Sequence, residues 1–167
     1  WLNVAANLGV IAIPLGLLMI AGELDISVGA MVPFGAMTVA VISGHYGLPI
    51  WMGVAVALSF GVIVGLVNGF LVIKTAVPSL IVTLGSLFAV QGIVLGLTVL
   101  ITKSTSVALA TEGPAKAILG DFVMGGQLQV MVLWWMGLTA MYIFFVHFSP
   151  FGNWIFAMGG DKVSARN

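Results

Sequence analysis

The sequence predicts an all-α integral membrane protein, a polytopic bundle of about five transmembrane helices. Three observations carry that prediction. First, 61% of the 167 residues are hydrophobic and only 6% are charged, against about 25% charged in a soluble domain. So little charge cannot cover a water-facing surface, and lipid must be much of the solvent. Second, the apolar residues fall in five runs, most of them near the roughly 20 residues that cross a hydrocarbon core. Third, the runs lack period-2 alternation, which argues against a transmembrane barrel. Backbone groups in lipid must pair within their own segment, so the runs are helices.

The first run spans about Leu2 to Ala21. The second, about Val28 to Ser43, is short, and becomes long enough if its helix starts near Asp25. There Asp25 or Ser27 can cap free N–H groups, and an acid suits the positive helix end. The stretch Gly44–Pro49 is a turn by its Gly and Pro content. The third run is Ile50 to Ile73, closed by Lys74 to Pro78, and the fourth is about Ser79 to Ile101. A long polar connection, Thr102 to Gln127, carries Lys103, Glu112, Lys116 and Asp121. The fifth run is about Leu128 to Phe148, and a tail follows from Ser149 to Asn167. The chain opens at Trp1 almost inside an apolar run, with no charged n-region of a signal peptide before it. It reads as an internal fragment of a longer chain.

Spacing adds two expectations. Gly61, Gly65 and Gly69 fall four apart, as do Gly92 and Gly96, a pattern that lets helix backbones approach closely in lipid. Alternating the five spans puts the Glu23/Asp25 turn, Lys74 and the tail on one side, with Lys162 and Arg166. The Gly44–Pro49 turn and the long connection, with Lys103 and Lys116, fall on the other. The small cationic excess favours a cytoplasmic tail. The rings of Phe144, Phe145, Phe148, Phe151 and Trp154 fit an interfacial belt.

Several chemistries find no support. Net charge is zero, which gives no electrostatic case for nucleic acid. There is no cysteine, so disulfides and thiolate metal sites are excluded. His45 and His147 lie far apart and read as structural, leaving no metal site. No catalytic constellation appears, and no G-x-x-x-x-G-K-[ST] loop exists to cradle ATP phosphates.

The candidate functional residues are polar groups placed among apolar ones. Glu23, Asp25, Ser27 and Gly29 mark the join between the first two runs. A charge at mid-bilayer costs roughly 2.5–3.5 kcal/mol on insertion scales, so this turn marks a surface, a water-filled cavity or a protein-lined helix break. Asn68, Thr83, Ser86 and Gln91 are candidates for a solute pathway, although such groups in lipid commonly bond one helix to another. Asn3 and Asn7 share a face at i, i+4 and are open to the same two readings.

Three segments together resemble the permease subunits of bacterial ABC importers for simple sugars, the ribose/xylose type. Gly22-Glu23-Leu24-Asp25-Ile26-Ser27-Val28-Gly29 is similar to that family's G-G/E-I-D-L-S-V-G. Asn68-Gly69-Phe70-Leu71-Val72 with Val77-Pro78-Ser79-Leu80-Ile81-Val82-Thr83-Leu84-Gly85 resembles N-G-x-L-V … P-x-F-I-V-T-L-G. Phe151-Gly152 with Ala157-Met158-Gly159-Gly160-Asp161 and Ser164-Ala165-Arg166 resembles F-G-R-x-I-Y-A-I-G-G-N-x-x-A-A-R. The departures are Gln91 in place of an Arg, Asn153 in place of a basic residue, Asp161 in place of Asn, and no Gly pair after Leu97-Thr98.

The resemblance implies one transmembrane permease domain over residues 1–167, in the bacterial inner membrane. It implies a pore subunit that is not itself an enzyme and binds no cofactor, with ATP and Mg used by a partner ATPase. The other implied partners are a periplasmic sugar-binding protein and a second permease subunit. Gly159, Gly160, Asp161, Ser164, Ala165 and Arg166 would form the cytoplasmic loop that docks on the ATPase. In that loop the Gly pair permits a sharp turn and Asp161 can cap a short helix. The rival reading is a secondary carrier or channel for a small polar solute, with Glu23 and Asp25 as a proton relay. A membrane scaffold without transport is a third.

Overall fold

A computed structural model describes residues 1–109 and 114–160. Five of its helices are long and apolar enough to cross a membrane. In order they are α1 (Leu2–Ile20), α2 (Val28–Val39) with its π-helical continuation (Ala40–His45), α3 (Ile50–Lys74), α4 (Ser79–Thr102) and, after a short α5 (Pro114–Leu119), α6 (Val130–Phe148). A two-stranded antiparallel hairpin, β1 (Phe122–Val123) and β2 (Leu128–Gln129), lies between α5 and α6. The last helix is α7 (Pro150–Gly160). The helices form two compact units, one holding α1, α5, the hairpin, α6 and α7, the other α2, α3 and α4.

Helix ends follow local chemistry. α1 stops because Gly22 takes a left-handed conformation at φ 80°. Its N–H donates to Met19 O, and the Glu23 N–H donates to Leu18 O, 3.0 and 3.1 Å away. These are the two bonds of a Schellman motif, which satisfies carbonyls that a helix end leaves open. Pro49 and Pro78 precede α3 and α4, where a residue without an N–H leaves no donor orphaned.

In the unit of α2–α4, Ala30, Phe34 and Val90 form the core, with Met31, Phe60, Val64, Leu87 and Val94 packed around it. The rings of Phe34 and Phe60 stack at 3.9 Å between centroids. In the other unit α1 lies along α6, with Ala6 and Val132 buried and Gly9 open to the Trp135 indole. α7 folds back on α6 through Gly152, which faces the Val146 carbonyl. Most large apolar side chains face outward; Leu66 is 68% and Phe148 74% exposed. Water would penalise such a surface, and acyl chains would not.

The elements depart from the sequence expectations in four places. The helix of α2 begins at Val28, past Asp25, and gains its length at the other end, where the π-helical segment runs into the expected turn as far as His45. The long polar connection contains α5 and most of the hairpin, whose turn uses positive φ at Met124, Gly125 and Gly126. The tail is helical through Gly160. Finally, a Cβ added at Gly61, Gly65, Gly69, Gly92 or Gly96 meets nothing within 4 Å, so the expected packing stripes touch no other described helix. The close approaches are at Gly9, Gly44, Gly53, Gly152 and Gly159 instead.

Candidate functional site

The structure joins two groups of residues that lie far apart in sequence. Asp25 Oδ1 accepts from the Ser27 N–H at 2.8 Å and from the Ser27 hydroxyl at 2.5 Å. Ser27 Oγ in turn accepts from Asn68 Nδ2 at 3.1 Å. Asn68 Oδ1 accepts from the Ser86 hydroxyl at 2.5 Å. Beside this chain, the Ile26 N–H donates to Thr83 Oγ1 at 3.3 Å, and the Thr83 hydroxyl donates to Ser79 O at 2.9 Å. Every donor from Ser86 onward points toward the Asp25 carboxylate. The Asp25 carboxyl oxygen is thus the terminal acceptor of the relay.

The middle of the network is buried although its members are polar: Ser27 is 3%, Asn68 5% and Thr83 3% exposed, while Asp25 and Ser86 at its two ends are half-buried. Polar groups in such a place are costly unless paired, and here they pair with one another. Asn68 lies about 9 Å back from the end of α3 and Ser86 about 10 Å in from the start of α4, at 1.5 Å per residue. The cluster therefore sits one to two turns inside the helical bundle. It ties the segment before α2 to both neighbouring helices.

Not every candidate joins it. Gln91 is exposed; five residues from Ser86 is about 140° around a helix, which turns it away from the network. Gly29 stands on the first turn of α2, where an added Cβ would make ordinary contact with Leu87 at 3.6 Å. Glu23 is half-buried, and its N–H closes α1. Ser27 stands at the N-cap of α2 without a side-chain capping bond, because its hydroxyl is already spent between Asp25 and Asn68. Asn3 serves as structural glue: its side chain donates to Gln127 O at 3.1 Å and accepts from the Gln129 N–H at 3.0 Å. Asn7 is exposed.

The Gly pair of the expected loop is the last turn of α7. Gly159 faces Ile20 O and Ala21 at the end of α1, so its lack of a side chain permits a helix contact where a sharp turn was expected. Asp161, Ser164, Ala165 and Arg166 lie outside the described residues. A polar side-chain network alone would not have been found by residue type. The signal available in sequence was helical phase: Thr83 and Ser86 share a face that Gln91 leaves.

An apolar bundle with a satisfied polar cluster sunk below the ends of its spans fits the polytopic membrane transport proteins as a class. A family model described as "Branched-chain amino acid transport system / permease component" matches residues 1–167, and the chain belongs to that family. It is 27% identical over 165 residues to the inner membrane ABC transporter permease protein YjfF of Escherichia coli (strain K12), covering 96% of this chain and 48% of that protein. It is 28% identical over 159 residues to the autoinducer 2 import system permease protein LsrD of Klebsiella pneumoniae, covering 95% and 47%. With the xylose/arabinose import permease protein XylH of Sulfolobus acidocaldarius it shares 30% identity over 166 residues, covering 96% and 44%. The chain thus spans about half the length of the curated relatives it matches. No solved structure matches it. Family and apolar helices together make the chain a multi-pass segment of an inner-membrane ABC permease.

Proposed function

We propose that this chain forms part of the transmembrane path of an ABC importer for a monosaccharide or a similarly small polyol. The observation that carries the reading is the hydrogen-bonded network of Asp25, Ser27, Asn68 and Ser86. It joins two of the three segments that resemble sugar permeases, and the relatives named for autoinducer 2 and xylose/arabinose import support the solute class. In this reading ATP and Mg are consumed by a separate ATPase chain, and this chain binds no cofactor. A periplasmic binding protein delivers the sugar, and a second permease subunit completes the pore.

The network's role is to hold α2, α3 and α4 in one register, so that they move together when access alternates. The segment from Gly159 to Arg166 is the ATPase-docking loop. Its first residue lies against the end of α1, next to the turn that leads to Asp25, so a displacement of the loop reaches the helix break through α7 and α1. In the carrier reading Asp25 would pass a proton to a titratable neighbour; among the described residues its carboxyl oxygen accepts from the hydroxyl and N–H of Ser27.

The test is uptake of radiolabelled ribose or xylose into proteoliposomes holding the full-length permease, its ATPase and its binding protein. ATP-dependent uptake without a proton gradient supports the importer. Uptake driven by a proton gradient without ATP would replace it with the carrier.

A further inference from the structure

The far end of α2 is built unlike the rest of the spans. Residues Ala40–His45 are π-helical, and the Tyr46 N–H bonds back to Val41 O at 3.2 Å, an i→i+5 step. Such turns are rare and mark functional positions in helices. Among the described residues, Ser43 Oγ is the buried side-chain polar atom with no hydrogen-bond partner.

The orphan follows from the register. Six hydroxyls elsewhere in the helices or at their ends donate to the carbonyl four residues back: Ser59, Thr75, Thr83, Thr102, Thr139 and Ser149. This is the ordinary local partner of a helical Ser or Thr. The π turn removes it from Ser43, whereas in an α register that partner would be Val39 O. Two further features meet at the same place. Buried Gly53 of α3 seats against the junction, where an added Cβ would stand 2.9 Å from Val39 Cα and 3.5 Å from Ser43 Oγ. A cavity of about 340 Å³ lies alongside, lined on the α2 side by Phe34, Met37, Thr38, Val41 and Ile42.

We propose that residues 40–45 form a two-state element that exchanges between this π register and an α register, with the adjacent cavity receiving the side chains that the exchange rotates. Losing the extra residue of a π turn rotates the residues beyond it by about 100°. The exchange gives Ser43 its missing partner and gives up the contact of its hydroxyl, 3.5 Å away, with the Gly53 position. Each register thus carries one unmet demand, which is what makes the element bistable. Its position, at the opposite end of α2 from the Asp25 network, leaves that network intact while the other end of the span turns.

The experiment is a spin-label distance distribution in the full-length permease in nanodiscs, in a background without other cysteines. Labels go on His45→Cys and Leu100→Cys, both exposed. Two populations are expected. Ser43→Ala removes the reward for the α register and should raise the ratio of π to α about five-fold, the effect of relieving one buried orphan group. A single distribution, unmoved by Ser43→Ala, would overturn the proposal.

Discussion

At the scale of the residue, the Asn68 amide is the junction of the site, because its two ends serve different helices. Its nitrogen donates to Ser27 before α2 and its oxygen accepts from Ser86 of α4. Asn68→Ala leaves both hydroxyls short of a partner in a buried place, a loss of about 1–3 kcal/mol. We expect a clear fall in the midpoint of thermal unfolding in detergent. Gln91→Ala, on an exposed face, should stay within about 0.5 kcal/mol of the parent. An equal fall in both would refute the assignment of Gln91 to a different face. The membership of Asn68, Thr83 and Ser86 in a special set was legible in sequence as polarity within apolar runs. Their link to the Asp25–Ser27 segment, through Ser27 for Asn68 and Ser86 and through the Ile26 N–H for Thr83, was not, because it depends on how α3 and α4 stand against the start of α2.

At the scale of the element, glycines separate into those that touch another helix and those that do not. Gly159→Val would drive a branched side chain into the Ile20–Ala21 end of α1, and overpacking typically costs about 1–3 kcal/mol. Its thermal stability should drop clearly. Gly65→Leu should leave the packing of these helices unchanged, since nothing lies within 4 Å of that position. A larger loss for Gly65→Leu than for Gly159→Val would show a covering helix from elsewhere in the protein. The segment that follows Gly160 carries a separate prediction. Ala165→Trp should lower sugar-stimulated ATP hydrolysis and uptake together in the reconstituted complex, with sugar affinity of the binding protein unchanged. Normal uptake would reduce the loop to a connector. Glycine spacing was visible in sequence, yet the described helices meet at other glycines, because a four-residue repeat says which positions are small and nothing about which face meets a neighbour.

At the scale of the whole molecule, alternation of the spans and the cationic bias set the expected topology. The hairpin turn and the α3–α4 connection should lie on opposite sides of the membrane. The chain has no native cysteine, so Met124→Cys and Thr75→Cys, both at exposed positions, report cleanly. An impermeant thiol reagent added to whole cells should label the first and spare the second. The reverse pattern would invert the membrane orientation and remove the docking role from the tail.

The sequence by itself determined the solvent, the helical class and the approximate spans. Each rests on composition and on runs of about 20 residues, which need no neighbour to be read. It also marked the Gly22–Gly29 motif as the join between two spans, with a membrane surface, a water-filled cavity and a protein-lined helix break left open, since two acids among apolar residues admit few other placements. Only the tertiary structure decided that Asp25, Ser27, Asn68 and Ser86 form one relay, that α2 is completed by a π-helical segment, and that Gly159 is a helix contact. Those outcomes depend on which faces of separate helices come together. In a chain apolar all around its helices, hydrophobic periodicity no longer marks an inner face, so local pattern could not supply the pairing.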